Sequence, residues 1–250
     1  MTLLVPPRRP SREALDDADL PSEEMCRSLR DLALVNRRWG GSRALERYLL
    51  PRLRAAGPGS VRLLDVGAGS GDVARRLVRV LRQNGCDASI VALDLQWRHL
   101  AAGKKMYPRE PLPCAAADAF RLPFSPRSID WIVSTLVFHH FSPEQNVRFL
   151  RELARVARSG FALLDLRRHL FPLLFVRIAG ALVFESPVSL QDGVASVGQA
   201  YTLAETRAIA REAAPGFRVE RVFPFRLLIT SADTAPAGPN SRLSTLDSRT

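Results

Sequence analysis

Runs of apolar residues alternate with helical patterning along most of the chain. The clearest passage lies near residue 61. An apolar run, Val61 to Val66, leads into the spacing Asp65-x-Gly67-x-Gly69-x-Gly71, and Val73, Leu77, Val78 and Leu81 then fall on one face of a helix. This predicts a strand, a tight glycine turn and a helix. SIVALDL (89–95) reads as a second strand, buried on both faces as in parallel sheets. A short third strand starts at Cys114 and ends at Asp118, and a fourth runs from Ile129 to Ser134 into a loop holding His139 and His140. A helix over 143–158 and a fifth strand from Gly160 to Asp165 follow. Such alternation predicts a doubly wound α/β sheet, whose ligands bind at the carboxyl ends of the strands.

The flanks are read from the same pattern. Residues 1–22, rich in Pro, Arg and Asp, are expected to be a flexible tail. Met25, Leu29, Leu32, Trp39, Leu45 and Leu49 suggest two helices broken at Gly40-Gly41, with a linker over 55–60. The apolar segment 170–184 is too short and interrupted to span a bilayer, which needs about 20 apolar residues. It is read as a buried helix, a lid over a lipophilic substrate, or a weak membrane-surface contact. Residues 186–202 read as a polar loop. Thr202 and Glu205 form a capping box for a helix to Ala214, and 217–222 with 225–230 form a closing antiparallel pair. Residues 231–250 are expected to be disordered.

The glycine spacing bears on the ligand. A dinucleotide fingerprint would place its third glycine at 72, where Asp72 stands, and a carboxylate there repels pyrophosphate. Asp65 at the strand end suits a ligand carrying an ammonium group. Asp94, at the tip of the second strand, can accept from two ribose hydroxyls, or else cap the following helix.

These residues resemble the motifs of class I S-adenosylmethionine-dependent methyltransferases, in order and spacing, over Val61 to Asp165. The Leu122-Pro123-Phe124 segment is similar to a common continuation in those enzymes. The resemblance implies a seven-stranded, mostly parallel Rossmann-like sheet with an antiparallel last strand, N-terminal helices and a helical lid. It implies a methyltransferase domain over 23–230, made of a cap (23–58), a cofactor-binding core (61–167) and a lid (168–200). It implies S-adenosylmethionine as cofactor, held by Asp65, Gly67, Ala68, Gly69, Asp94, Leu95, Ser134, Asp118 at the adenine amino group and Ala119 at a ring nitrogen. The branch resembles the ubiquinone/menaquinone methyltransferases, which adds Asn36 and Trp39 as cofactor contacts. Residues 192–202 look like a bacterial group linked to polyketide and phenolic-lipid pathways, although that group has His and Arg where Gln191 and Gln199 stand here.

The implied activity is O- or C-methylation of a small lipophilic aromatic, polyketide or quinone-like substrate. His139 or His140 is a candidate general base for a phenol. Alternatively, one packs against the cofactor and the other is structural. Metal-dependent relatives need acids after strands four and five, and only Asp165 qualifies, so no metal is expected.

The formal charge of +11 is nearly all arginine, since Lys104 and Lys105 are the only lysines, and it is spread along the chain. No nucleic-acid partner is expected on that basis, although an RNA-directed methyltransferase and a non-catalytic cofactor-binding module remain as alternatives. Three cysteines at no metal-like spacing and the brevity of the Leu3 to Val5 apolar stretch suggest a reduced, cytoplasmic protein. The oligomeric state is not legible.

Overall fold

The computed structural model describes residues 4–55 and 59–231. Seven strands, β1 (Val61–Val66), β2 (Ala88–Asp94), β3 (Cys114–Ala116), β4 (Ile129–Thr135), β5 (Ala157–Leu166), β6 (Arg218–Val222) and β7 (Arg226–Thr230), form one sheet. Their order is β3-β2-β1-β4-β5-β7-β6, and β7 alone runs against the others. The chain winds outward from β1 to β3 and returns to β4 beside β1. The strand order therefore reverses between β1 and β4, where doubly wound sheets open a crevice at their carboxyl ends.

Helices cover both faces: α1 (Ser22–Arg38), α2 (Gly41–Ala55), α3 (Asp72–Gln83), α4 (Trp97–Met106), α5 (Pro143–Val156), α6 (Leu170–Val183), α7 (Pro187–Gln199) and α8 (Leu203–Ala213). Alternation along the strands divides the core. Leu64, Val66, Ile132 and Phe161 pack with Phe149 and Leu153 of α5 and Ile209 of α8. Leu63, Val133 and Ala162 turn the other way, onto Leu45 and Leu49 of α2 and Leu77 and Leu81 of α3. Each such burial contributes roughly 1.5–3 kcal/mol.

Three sequence expectations change. Residues 186–202 are not a polar loop. They hold helix α7, with Ser186 as N-cap and Pro187 at the first position. Two glycines and several serines hide the helical pattern, and packing overrides that weak propensity. A Cβ at Gly193 would lie 2.9 Å from Val176 of α6, so this glycine lets the two helices meet. Secondly, β5 begins at Ala157, paired with Ile129, so α5 stops at Val156 rather than Arg158. Thirdly, residues 4–22 are not a flexible tail. The Arg8 guanidinium donates to the carbonyls of Gln199 (2.7 Å), His139 and Phe141 (both 3.1 Å). The amides of Ala14 and Leu15 donate to Asp192, each at 2.8 Å. This strap carries little apolar surface and is held by charged and backbone groups, so hydropathy alone misses it. The tail expected over 231–250 lies, past Ser231, outside the described residues.

Candidate functional site

The β1–α3 turn is bent by its glycines. Gly67, Gly69 and Gly71 all have positive φ, between 55° and 74°. At Gly67 a side chain is also excluded by space, since its Cβ would lie 2.2 Å from Cγ2 of Val137. The amides of Gly67 and Ala68 donate to the carbonyl of Leu93, which ties the turn to the end of β2. Asp94 completes this tie. One carboxylate oxygen accepts from the Gly69 amide at 2.7 Å and the other from Gln96 at 2.8 Å. Asp94 is thus both a loop former and a cavity-wall carboxylate with lone pairs left for hydroxyl donors.

A cavity of about 670 Å³ opens along the strand tips. Gly67, Gly69, Asp94, Leu95, Asp118 and Ala119 all lie on its wall, as the sequence implied. Asp118 already accepts from the Phe120 amide at 2.9 Å, which fixes its orientation.

Four residues of the implied set lie elsewhere. Ala68 is buried behind the turn. Ser134 is fully buried, and its hydroxyl donates to the carbonyl of Val66 at 2.7 Å, joining β4 to β1. Asn36 is buried and its amide reaches the Asp72 carboxylate at 3.4 Å. Asp65 is fully buried, and neither of its oxygens has a hydrogen-bond partner among the described residues. Burial, reinforced by Asp72 and Asp94, pushes its carboxyl up to about 8. Burial likewise raises Asp72 to about 6. This is a carboxylate pair short of positive charge, placed directly behind the glycine turn. A cation in front of that turn relieves it, so the residues present fit an ammonium-bearing nucleoside, held by its hydroxyls at Asp94. Asp65 itself is buried away from the cavity wall.

The fourth strand tip carries the histidines. Leu136 takes a positive φ of 59° as the chain leaves β4, a conformation uncommon for a side chain of its size. The loop is pinned by Asn146, whose amide donates to the Phe138 carbonyl at 2.9 Å. His139 is almost fully buried. Its Nδ1 lies 2.7 Å from Asp165 and its Nε2 3.2 Å from Glu13. Burial alone would lower this imidazole, but the two carboxylates outweigh it and raise it to about 10. His139 is therefore held as a cation with both nitrogens engaged, which corrects its candidacy as a base.

His140 stacks on His139, with ring centroids 4.3 Å apart. Burial, and next the charge on His139, push its imidazole below the usual value. Its Nδ1 is 3.6 Å from Asp16 and its Nε2 3.8 Å from Glu13. His140 lies on the cavity wall.

Glu13 is the residue that sequence reasoning missed. One of its oxygens accepts from Ser196, from Gln199 at 2.7 Å and from His139. Burial raises its carboxyl, but the His139 hydrogen bond and charge outweigh this and hold it at about 2. Its sequence signal is slight: Leu15 and Leu20 punctuate an acidic stretch otherwise typical of a tail. Glu13, His139 and His140 bring ligand atoms within 4.8 Å of one another, the donor types of a divalent metal site. No metal was expected from the sequence. Three donors already satisfy the Glu13 oxygen that faces His139, whereas the His140 nitrogens lie 3.6 and 3.8 Å from Asp16 and Glu13, beyond hydrogen-bond distance.

The far end of the cavity is apolar. Trp39 lies there, but it packs edge-on against Phe175 at 4.8 Å and against Phe184 at 5.9 Å, which makes it part of the lid wall. Val197, Phe223 and Phe225 extend the same wall.

The model of a methyltransferase domain family matches residues 64–164. No curated protein is significantly similar in sequence. Among solved structures, the chain is similar to an S-adenosylmethionine-dependent methyltransferase from Aquifex aeolicus (TM-score 0.55, 17% identity, covering 82% of this chain and 97% of that one). It is similar to human N-acetylserotonin methyltransferase in complex with S-adenosylmethionine (0.58, 16%, 85% and 56%). It is also similar to magnesium protoporphyrin IX methyltransferase from Synechocystis with bound S-adenosylhomocysteine (0.53, 14%, 78% and 84%).

Proposed function

We propose that this chain is a methyltransferase that takes S-adenosylmethionine and methylates an oxygen or carbon of a small lipophilic aromatic, polyketide or quinone-like acceptor. One observation carries the reading. A single cavity is lined by the glycine turn and Asp94, by the aromatic lid wall and by His140, whose imidazole is pushed below its usual value. The family match to residues 64–164 supports the reaction class, and the apolar wall supports the class of acceptor.

When bound, S-adenosylmethionine supplies a methyl group already activated on a positively charged sulfur. The chain's own residues have three tasks. The glycine turn, Asp94 and Asp118 fix the donor's position, and the aromatic wall fixes the acceptor. Such alignment is worth up to about 7–11 kcal/mol of barrier in well-oriented systems. The strap and α6 exclude water from the cavity. His140 takes the proton of an acceptor hydroxyl, whose unperturbed pKa is near 10 for a phenol. The imidazolium so formed lies beside the carboxylates of Glu13 and Asp16, which stabilise it. His139, already charged, orients Glu13 and keeps His140 neutral until then.

The test is turnover with a panel of phenolic and quinol acceptors, followed by release of S-adenosylhomocysteine. His140→Gln is expected to reduce kcat about 10²–10⁴-fold on a phenol. Tight cofactor binding without methylation of any acceptor in the panel would replace this reading with that of a cofactor-binding module.

A further inference from the structure

We propose that the outward face of α6, with the β6–β7 turn, docks on an anionic lipid surface, so that the cavity mouth opens toward the bilayer. Among the described residues no helix is long and apolar enough to cross a membrane, so the contact is one of surface docking. The inference extends the reading of a lipophilic acceptor, but the docking itself stands on separate observations.

Five of the exposed apolar residues of α6, Phe171, Leu174, Phe175, Ile178 and Leu182, fall at the spacing i, i+3, i+4, i+7, i+11 that lines one helical face, with Val183 exposed at the helix end. Ile178 is 67% exposed and Leu182 83%. The opposite face, with Pro172, Val176 and Gly180, is buried. Phe223, at the β6–β7 turn, is 91% exposed. A water-facing stripe of this kind on a helix that already has a buried face calls for a partner.

The patch is continuous with the cavity. Phe175 and Phe223 belong both to the exposed surface and to the cavity wall. His169 bridges the two elements, stacked 5.3 Å from Phe171 and 6.3 Å from Phe225.

Charge selects the partner. No acidic residue lies between Asp165 and Glu185, whereas Arg167, Arg168 and Arg177 do. Arg168 is committed to Glu205 and to backbone carbonyls. Arg167 and Arg221 lie close enough to repel each other, and no ion pair to Arg167, Arg177 or Arg221 is present among the described residues. Arg167 also has a buried Nε without a hydrogen-bond partner. Arg167 lies over the Phe225 ring, and Arg177 and Arg221 have no ion pair among the described residues, so guanidiniums beside an apolar helical face fit a surface that offers phosphate above hydrocarbon.

The experiment is co-sedimentation of the full chain with phosphatidylcholine vesicles, with and without phosphatidylglycerol, alongside the variant I178E/L182E. The wild type is expected to bind vesicles containing phosphatidylglycerol at least tenfold more tightly than pure phosphatidylcholine, and less tightly as salt rises. The variant is expected to lose that binding while keeping its melting temperature and its affinity for S-adenosylhomocysteine. Wild-type protein that stays in the supernatant at every composition overturns the proposal. So does light scattering that shows a dimer in wild type and a monomer in I178E/L182E, because a second copy would then cover the face. The assay needs no acceptor, so failure of docking and failure of the proposed reaction are read separately.

Discussion

Replacing Glu13 by glutamine tests the strap, the histidine network and the assignment of the base together. Glu13 is 8% exposed, and its carboxyl falls from 4.5 to about 2 in the folded chain. A shift of that size corresponds to about 3 kcal/mol of stability at neutral pH. His139, raised from 6.5 to about 10, shares its charge between Asp165 and Glu13, so the two shifts cannot be added. The Glu13 figure is the better guide, because its main ionic partner is the His139 imidazolium. The amide in E13Q keeps a carbonyl oxygen for Ser196 and Gln199 and loses the ionic part.

The expected loss is about 2–3 kcal/mol in urea denaturation near pH 7, provided the strap unfolds with the domain. If it opens alone, the loss appears as faster hydrogen exchange at Ala14 and Leu15, whose amides lie under Asp192. The pH dependence is fixed in sign. A depressed carboxyl contributes fully above pH 4.5, and its contribution is lost as pH falls through about 2. A raised imidazole contributes fully below pH 6.5, and its contribution is lost as pH rises through about 10. Both are complete between about pH 4.5 and 6.5. Above that window wild-type stability falls by roughly 1 kcal/mol per pH unit from His139 alone. In E13Q the decline ends at lower pH, because Asp165 alone holds the cation. Unchanged stability, unchanged exchange and an unchanged alkaline slope would refute the network.

Other substitutions probe the rest of the site. Gly67→Ala puts a Cβ 2.2 Å from the stiff Val137 side chain at a φ of 71°, so isothermal titration should show at least a tenfold loss of S-adenosylhomocysteine affinity. Gly103→Ala gains about 1 kcal/mol of helix propensity but drives a Cβ to 2.1 Å from the Ser70 carbonyl oxygen. Overpacking against backbone outweighs that gain, and urea denaturation should show a net loss of about 1–3 kcal/mol. Since the His140 imidazole lies below its usual 6.5, the acid limb of kcat/KM on a phenolic acceptor should fall below pH 6.5 and vanish in His140→Gln. Removing Glu13, which raises His140, should move that limb to still lower pH.

The parts of the fold legible in the sequence are those where burial and backbone geometry act locally. Leu63, Leu64 and Val66 are apolar because this part of the strand is covered on both faces, and Gly67, Gly69 and Gly71 mark a turn that needs positive φ. The Thr202–Glu205 capping box is likewise a local exchange of hydrogen bonds, and the structure has it as read. Helix α7 was not legible, because Gly193 is there for the passage of Val176 from another helix, a reason that local propensity does not contain. The strap was not legible because its anchors are the carbonyls of residues about 130 to 190 positions away. Asp65 shows the same division. Its place at the end of β1 could be read, but its complete burial, which takes it off the cavity wall, depends on packing across the whole sheet.

The strap also constrains how the site is loaded. Glu13, Leu15 and Asp16 lie on the cavity wall together with Gly67 and Asp94. The same segment is tied to α7 through Asp192, Ser196 and Gln199, and α7 packs on α6, whose free face is apolar. The buried ends of these ties are carboxylates, so their strength depends on charge that water would screen once the cavity opens. A neutral, lipophilic acceptor keeps the Glu13–His139 pair dry. A charged acceptor would bring hydration into the cavity and weaken that pair. On the proposed reading, an apolar acceptor therefore suits the network, because a dry cavity keeps the carboxylate–imidazolium ties strong.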